Sequence, residues 1–226
     1  MDQVIELFKV VGLGVTLMLP LANPLTSVTL LLSLGRTLSL QERNRQITQA
    51  AIYVVAIMLV TYFAGHWVMQ SFGVSIPGLR IAGGLIVAFI GFTMLFPTHA
   101  ADEIPEAEAN AEAAARRKSI NIAFVPLALP GTAGPGTIAF IISAAASTRP
   151  GTVPYSTLTL MLAPVIVFVL LGVIFWVCLR SAGQIVKLIG EGGVEAIARV
   201  MGFLLVCMGV QFVINGILEI VTQYSA

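Results

Sequence analysis

Two copies of one short motif place helix-breaking prolines and polar side chains inside apolar sequence. Residues 20–26 read P-L-A-N-P-L-T and residues 126–132 read P-L-A-L-P-G-T, so five of the seven positions are identical. Proline removes a backbone donor and pushes the residue before it out of helical geometry. Each copy therefore predicts an interrupted helix, and the freed amides and carbonyls of the interruption can bind a polar solute.

The start of a helix offers unpaired amide donors and the positive end of the helix dipole, which suits a carboxylate. We expect new half-helices to begin near Thr26 or Ser27 and near Gly136 or Thr137. Freed carbonyls can accept from an ammonium group, so a small zwitterion would satisfy both kinds of group. The predicted substrate-binding residues are Asn23, Pro24, Thr26, Ser27, Pro130, Gly131, Thr132, Gly134, Gly136 and Thr137.

Helix capping is an alternative use of the same side chains, because Asn and Thr at a helix start can bond to the first turn and touch no solute. The two copies also differ. The first has a side-chain amide at Asn23, where the second has Leu129 followed by extra glycines. We therefore expect an asymmetric site, with side-chain contacts from the first break and bare backbone from the second.

The composition predicts that a lipid bilayer surrounds these motifs. The chain is 58% hydrophobic and 10% charged, whereas a soluble domain carries about 25% charged residues. Six apolar segments reach the length of about 20 residues that a membrane span needs. They are residues 7–34, 46–70, 76–97, 119–146, 155–179 and 197–221. The first and fourth are too long for one straight span, and each contains a copy of the motif.

Basic residues and a second repeat predict how the spans are oriented. Nine of the 12 Lys and Arg residues lie in or beside the connections that follow spans 1, 3 and 5. These connections are then cytoplasmic and both termini periplasmic. Residues 80–87 and 199–206 open spans 3 and 6 with matching Arg, Gly, Leu and Val. Because each half has three spans, the halves must be inverted relative to one another.

The predicted fold is an all-α polytopic membrane protein with six transmembrane helices in two inverted three-helix repeats, of which helices 1 and 4 are broken. Residues 1–97 form the first repeat, 98–118 a cytoplasmic linker rich in Ala and acidic residues, and 119–226 the second repeat. Arg80 and Arg199 lie near span ends, where snorkelling to the interface is a commoner role than substrate binding.

No enzyme motif is found in the chain. It contains no H-E-x-x-H, no G-x-S-x-G and no P-loop lysine motif, which argues against a zinc protease, a serine hydrolase and an ATPase. We expect a protein that is not an enzyme and has no metal or cofactor. The net charge of +1 gives no reason to expect a nucleic acid partner. No Asp or Glu lies at mid-depth, so the residue that would couple transport to an ion or proton is not identified.

The chain resembles the MarC family of inner-membrane proteins over nearly its whole length. The stretches that carry the resemblance are residues 19–26, 76–84, 124–137 and 201–216. The resemblance implies a six-span protein of the bacterial inner membrane. It also implies transport of small neutral amino acids such as glycine and alanine, the substrates of similar archaeal members.

The leading functional hypothesis is a secondary transporter of small neutral amino acids. It would work by alternating access around a midplane site between broken helices 1 and 4. Two alternatives remain at this stage: an exporter of larger apolar compounds, and a membrane scaffold or sensor that transports nothing. Glycine-rich helix faces permit a homo-oligomer without requiring one.

Overall fold

In the structure, a computed structural model, every regular element is helical within the residues that it describes, 2–35, 38–96, 122–129, 132–148 and 155–224. The α-helices are α1 (Asp2–Met18), α2 (Pro24–Leu34), α3 (Leu40–Ser71), α4 (Ile76–Leu95), α5 (Pro135–Ser147), α6 (Thr157–Arg180) and α7 (Ala182–Tyr224), and a π-helical turn (Ala123–Ala128) precedes α5. The predicted linker 98–118 lies outside the described residues, as do Pro130 and Gly131.

Local sequence explains where the helices begin. The Asn23 side-chain oxygen accepts from the Leu25 amide at 3.2 Å, and Pro24 occupies the first turn of α2. Proline is favoured there because the amide that it lacks would have no intrahelical partner. Ser39 caps α3 by accepting from the Glu42 amide at 3.2 Å. Serines cap α4 and α6 in the same way, and each such cap satisfies one free amide.

The motif regions correspond to gaps between helices. In the first predicted span, α1 ends at Met18 and α2 begins at Pro24, with a turn between them. In the fourth, the π-helical turn contains an extended residue, Val125, and α5 begins only at Pro135. Both half-helices therefore begin earlier than the expected Thr26 or Ser27 and Gly136 or Thr137. The reason is that a proline fits the first turn of a helix.

Four helices in the described part of the chain are long and apolar enough to cross a membrane by length and composition. They are α3, α4, α6 and the part of α7 from Gly192 to Thr222. Helix α5 is apolar but shorter. Large apolar side chains cover the outward faces, as a lipid environment requires; Phe89 is 69% exposed. Gly190 interrupts α7 with a φ of 75°, a left-handed conformation that glycine adopts without strain.

The main core lies where α3 and α6 meet the two gaps, and its most buried side chains include Val28, Val54, Met58, Leu127 and Phe175. Two hydrogen bonds show the direction of α3 relative to α6. Tyr62 donates to the Leu160 carbonyl at 3.3 Å, and Trp176 donates to the Thr48 hydroxyl at 3.1 Å. The end of one helix thus lies beside the start of the other, so α3 and α6 are antiparallel.

Glycines bring α4 and α7 into close backbone contact. A Cβ atom on Gly84 would lie 2.5 Å from the Gly209 carbonyl oxygen, and one on Gly91 would lie 2.5 Å from the Gly202 carbonyl oxygen. Small residues commonly line such interfaces in membranes, because van der Waals contact replaces the missing hydrophobic driving force. The order of the contacts shows that α4 and α7 are antiparallel too.

Candidate functional site

The two motif copies are bonded directly to one another. The Ser27 hydroxyl lies 3.1 Å from the Leu127 carbonyl oxygen, to which it donates, and 3.2 Å from the Thr132 hydroxyl. The Thr137 hydroxyl lies within bonding distance of two carbonyl oxygens, those of Thr132 at 3.0 Å and Leu21 at 3.4 Å. Ser27 is 0% and Thr132 1% exposed. The two gaps are therefore one joined region in the middle of the molecule.

A cavity of about 250 Å³ lies beside this joined region. The first gap and α2 contribute Leu21, Asn23, Thr26 and Leu30; the start of α5 contributes Gly134, Gly136 and Thr137; α4 contributes Val87, Ile90, Thr93 and Met94; and α7 contributes Leu205. Pockets that hold drug-sized ligands measure roughly 300–1,000 Å³. The cavity is thus of a size for a smaller solute.

Polar groups at the cavity come from both helix starts. The Asn23 side-chain nitrogen lies 3.3 Å from the Thr26 hydroxyl and 4.0 Å from the Met94 sulfur. At the start of α5, Gly134 makes no side-chain cap, and the first helical hydrogen bond runs from the Ile138 amide to Gly134 at 3.0 Å. The amides of Gly136 and Thr137 precede that bond. They face the gap together with the positive end of the helix dipole.

The structure divides the predicted site residues into groups. Asn23, Thr26, Gly134, Gly136 and Thr137 line the cavity. Ser27 and Thr132 are buried and bonded to each other and do not line it, because the first turn of α2 turns Ser27 towards Leu127. Pro24 is not among the lining residues and serves to start α2. Pro130 and Gly131 lie outside the described residues.

Sequence reasoning missed the wall that α4 supplies. Val87, Ile90 and Met94 follow the i, i+3, i+7 spacing of one helix face. Thr93 beside them is the one hydroxyl within residues 85–95. Those two signals together could have found the wall.

A second cavity, of about 200 Å³, has an almost wholly apolar lining. It lies between α1, α5 and α6, and its aromatic residues are Tyr62, Phe140, Tyr155 and Phe168. Such a lining suits an acyl chain or another apolar group and offers little to a zwitterion.

Arg80 departs from the snorkelling expected of it. Its Nε donates to the Ser143 hydroxyl at 2.6 Å, and its terminal nitrogens donate to Ser147 and to the carboxylate of Glu219. The Arg80 side chain is only 17% exposed. Arg199, its counterpart in the repeat, is 52% exposed and pairs with Glu195 on its own helix. Arg80 therefore joins three helices, whereas Arg199 joins none.

Comparison with known proteins identifies the family. A model described as "MarC family integral membrane protein" matches residues 8–221. The chain belongs to the MarC family. Among its relatives are proteins named UPF0056 inner membrane protein MarC. The one from Salmonella typhimurium is 59% identical over 219 residues, 97% of this chain and 99% of the relative. The one from Escherichia coli O6:H1 is 59% identical over 220 residues, with the same shares.

The match confirms the MarC resemblance that the sequence motifs carry. It spans both helix gaps and every wall of the central cavity. No solved structure matches the chain. Across the described ranges, no group of three or more His, Cys, Asp or Glu side chains is placed to hold a metal ion.

Proposed function

We propose that the protein is an inner-membrane secondary transporter of small neutral amino acids of the glycine and alanine class. It works by alternating access around the central cavity. The observation that carries the proposal is that α2 and α5 both begin at one small cavity, which lies beside the two joined motif copies. The location follows the names of the relatives, and the substrate class follows the resemblance to the family.

The contacts between helices support two halves that a two-fold rotation would superimpose on one another. In such a rotation, α1 corresponds to the π-helical turn, α2 to α5, α3 to α6 and α4 to α7. Helix α1 packs on α6, and the π-helical turn packs on α3. Helix α2 packs on α6, and α5 on α3; α4 packs on α5, and α7 on α2. These six contacts form three exchanged pairs, whereas the smaller contacts of α2 with the π-helical turn and of α6 with α7 have no counterpart of similar extent.

The direction of equivalent helices supports inversion. Helices α3 and α6 are antiparallel, and so are α4 and α7. The glycine contacts of α4 with α7 are centred on Val87 and Val206, the last residues of the aligned segments 80–87 and 199–206. Equivalent helices that run in opposite directions and cross at equivalent residues are the pattern of an axis in the membrane plane.

The cavity offers what a small zwitterion needs. The amides of Gly136 and Thr137, at the positive end of α5, bind the carboxylate. Carbonyls freed by the gaps accept from the ammonium group. The apolar side chains of Val87, Ile90 and Leu205 enclose the remaining space and leave room only for a small side chain.

Flux through reconstituted protein tests the proposal. Purified protein in liposomes should take up labelled glycine or alanine in a saturable manner under a proton gradient, a sodium gradient or counter-exchange. Empty liposomes and the Asn23→Asp variant are the controls. Folded protein that produces no flux of either amino acid under any of these conditions would refute the proposal.

The apolar cavity supports a second candidate, an exporter of larger apolar compounds, because four aromatic residues line it. This function predicts that cells lacking the protein and cells overproducing it differ in susceptibility to apolar toxic compounds. Equal susceptibility would remove the candidate. A scaffold or sensor without transport predicts instead that substitutions at the central cavity alter only stability.

A further inference from the structure

A third cavity, the Arg80 vestibule, lies between α4, α5 and α7. It measures about 290 Å³, and its lining consists of Arg80, Phe140, Ser143, Ala144, Ser147, Phe212 and Asn215. Unlike the apolar cavity, it contains a positively charged group, two hydroxyls and an amide. These groups differ also from those of the central cavity, where none of the described lining residues has a charged side chain.

The setting of Arg80 is that of a recognition group. An arginine that only anchors a helix end extends towards water and needs no cavity. Arg80 instead lies along α5, held by two serines one helical turn apart, Ser143 and Ser147. One terminal nitrogen reaches the carboxylate of Glu219, which is 31% exposed. A guanidinium presents a planar fork of donors that matches a carboxylate. Glu219 thus occupies a position that another carboxylate can take.

Two stacked rings separate the vestibule from the central cavity. Phe140 and Phe212 stack with centroids 5.2 Å apart and ring planes 11° apart, and both line the vestibule. Phe140 also packs against a small cluster of Leu21, Val87 and Leu205, which line the central cavity. One layer of aromatic side chains therefore lies between the two polar spaces.

We propose that the Arg80 vestibule is a second solute-binding site, which takes the carboxylate of a small amino acid. The incoming carboxylate replaces that of Glu219 on the Arg80 guanidinium and releases the tie between α4 and α7. The further statement that this solute is on its way to or from the central cavity, past Phe140 and Phe212, rests on the proposed function. Binding in the vestibule itself does not.

Protection of a cysteine placed in the vestibule tests the proposal. Asn215→Cys is made in a chain whose two cysteines, Cys178 and Cys207, are replaced by alanine. It is then labelled in purified protein with a water-soluble thiol reagent. We expect alanine to slow the labelling and alaninamide, which lacks the carboxylate, to leave it unchanged. Ser71→Cys, exposed at the end of α3 and outside the vestibule, is the control that neither compound should affect.

Two substitutions then separate recognition from structural support. Glu219→Gln removes the competing charge, so the alanine concentration that halves the labelling rate should fall roughly tenfold. Arg80→Gln should abolish the protection. If Arg80 and Glu219 only hold the helices together, Glu219→Gln will not increase protection. That result, or equal protection by alanine and alaninamide, would overturn the proposal. The proposal predicts stronger protection by alanine in Glu219→Gln. This result cannot arise from misfolding, even if Arg80→Gln loses protection because it does not fold.

The outcome is independent of the transport assay. Alanine flux without protection of Asn215→Cys would refute the vestibule and leave the proposed function intact. Carboxylate-dependent protection without flux would refute the proposed function and leave the vestibule as a binding site.

Discussion

Asn23 takes part in two kinds of contact that its side chain can serve at once. Its oxygen caps α2 through the Leu25 amide, and its nitrogen lies beside Thr26 at the cavity. Asn23 can therefore cap α2 and contact a substrate at the same time. The two can be separated because Asp caps a helix as well as Asn does but carries a negative charge.

We predict that Asn23→Asp keeps the thermal stability of the protein and loses transport. A carboxylate at the cavity repels the carboxylate of the substrate, so flux should fall roughly tenfold or more. Asn23→Ala should instead lower stability by about 1 kcal/mol through loss of the cap. Flux in liposomes and thermal unfolding measure the two effects. Wild-type flux in Asn23→Asp would show that Asn23 is only a cap.

The buried contact of Ser27 with Thr132 should hold the two gaps together. Ser27→Ala leaves the buried Leu127 carbonyl and Thr132 hydroxyl without this partner, which costs about 1–3 kcal/mol. Thr29→Ala on the exposed face of α2 is the matched control, because its hydroxyl donates to the Thr26 carbonyl of the same helix. Thermal unfolding of both variants measures the effect. If Ser27→Ala loses no more stability than Thr29→Ala, the contact does not hold the two gaps together.

The motif and the glycine-rich residues that follow its second copy could identify five of the cavity residues, because residues at a helix start that follows a break lie at the break. It could not show that Ser27 faces Thr132 and not the cavity. That choice depends on how α2 is rotated and on which distant segment packs against it. The α4 wall was missed for the same reason, since Val87 and Met94 become lining residues only through tertiary packing.

At the level of the helices, capping residues and prolines locate the helix starts more closely than the hydropathy pattern does. The hydropathy pattern predicts a membrane span over residues 46–70. The helix that contains it, α3, begins earlier, at Leu40, because Ser39 and Glu42 form the S-x-x-E pattern of a capping box. The prolines predict interruptions, and in the structure α1 ends at Met18 before α2 begins at Pro24. The exact starts required the further rule that Pro24 and Pro135 belong inside the first turn.

The glycine contacts of α4 with α7 predict which helix faces tolerate a methyl group. Gly84→Ala and Gly91→Ala would place a Cβ 2.5 Å from a backbone oxygen of α7, so the helices must separate. We expect each to cost about 1–3 kcal/mol, as overpacking does. Gly12→Ala on α1 is the control, because no atom lies within 4 Å of its Cβ. Equal unfolding temperatures for Gly84→Ala and Gly12→Ala would show that the helices do not approach so closely.

On the scale of the whole molecule, charge and packing lead to the same arrangement by separate routes. The basic connections predict which ends of the helices face the cytoplasm. Independently, the antiparallel directions of α3 against α6 and of α4 against α7 support the proposed inversion of the halves. Arg180 also stacks over the Trp176 ring at 5.1 Å, beside Thr48 of α3. An aromatic ring with a basic partner is typical of a membrane interface.

Inverted halves make a prediction that parallel halves contradict. Ser71 is the last residue of α3, and Ser181 directly follows the last residue of α6. Each hydroxyl bonds to the carbonyl four residues earlier, so the two positions are equivalent. In a cysteine-free chain, Ser71→Cys should react with a membrane-impermeant thiol reagent from the periplasmic side and Ser181→Cys from the cytoplasmic side. Parallel halves would expose both cysteines on one side, and a protein inserted the other way would exchange the two results. The charge rule and the proposed inverted halves together require one result. Ser71→Cys must be labelled from the periplasm and Ser181→Cys from the cytoplasm.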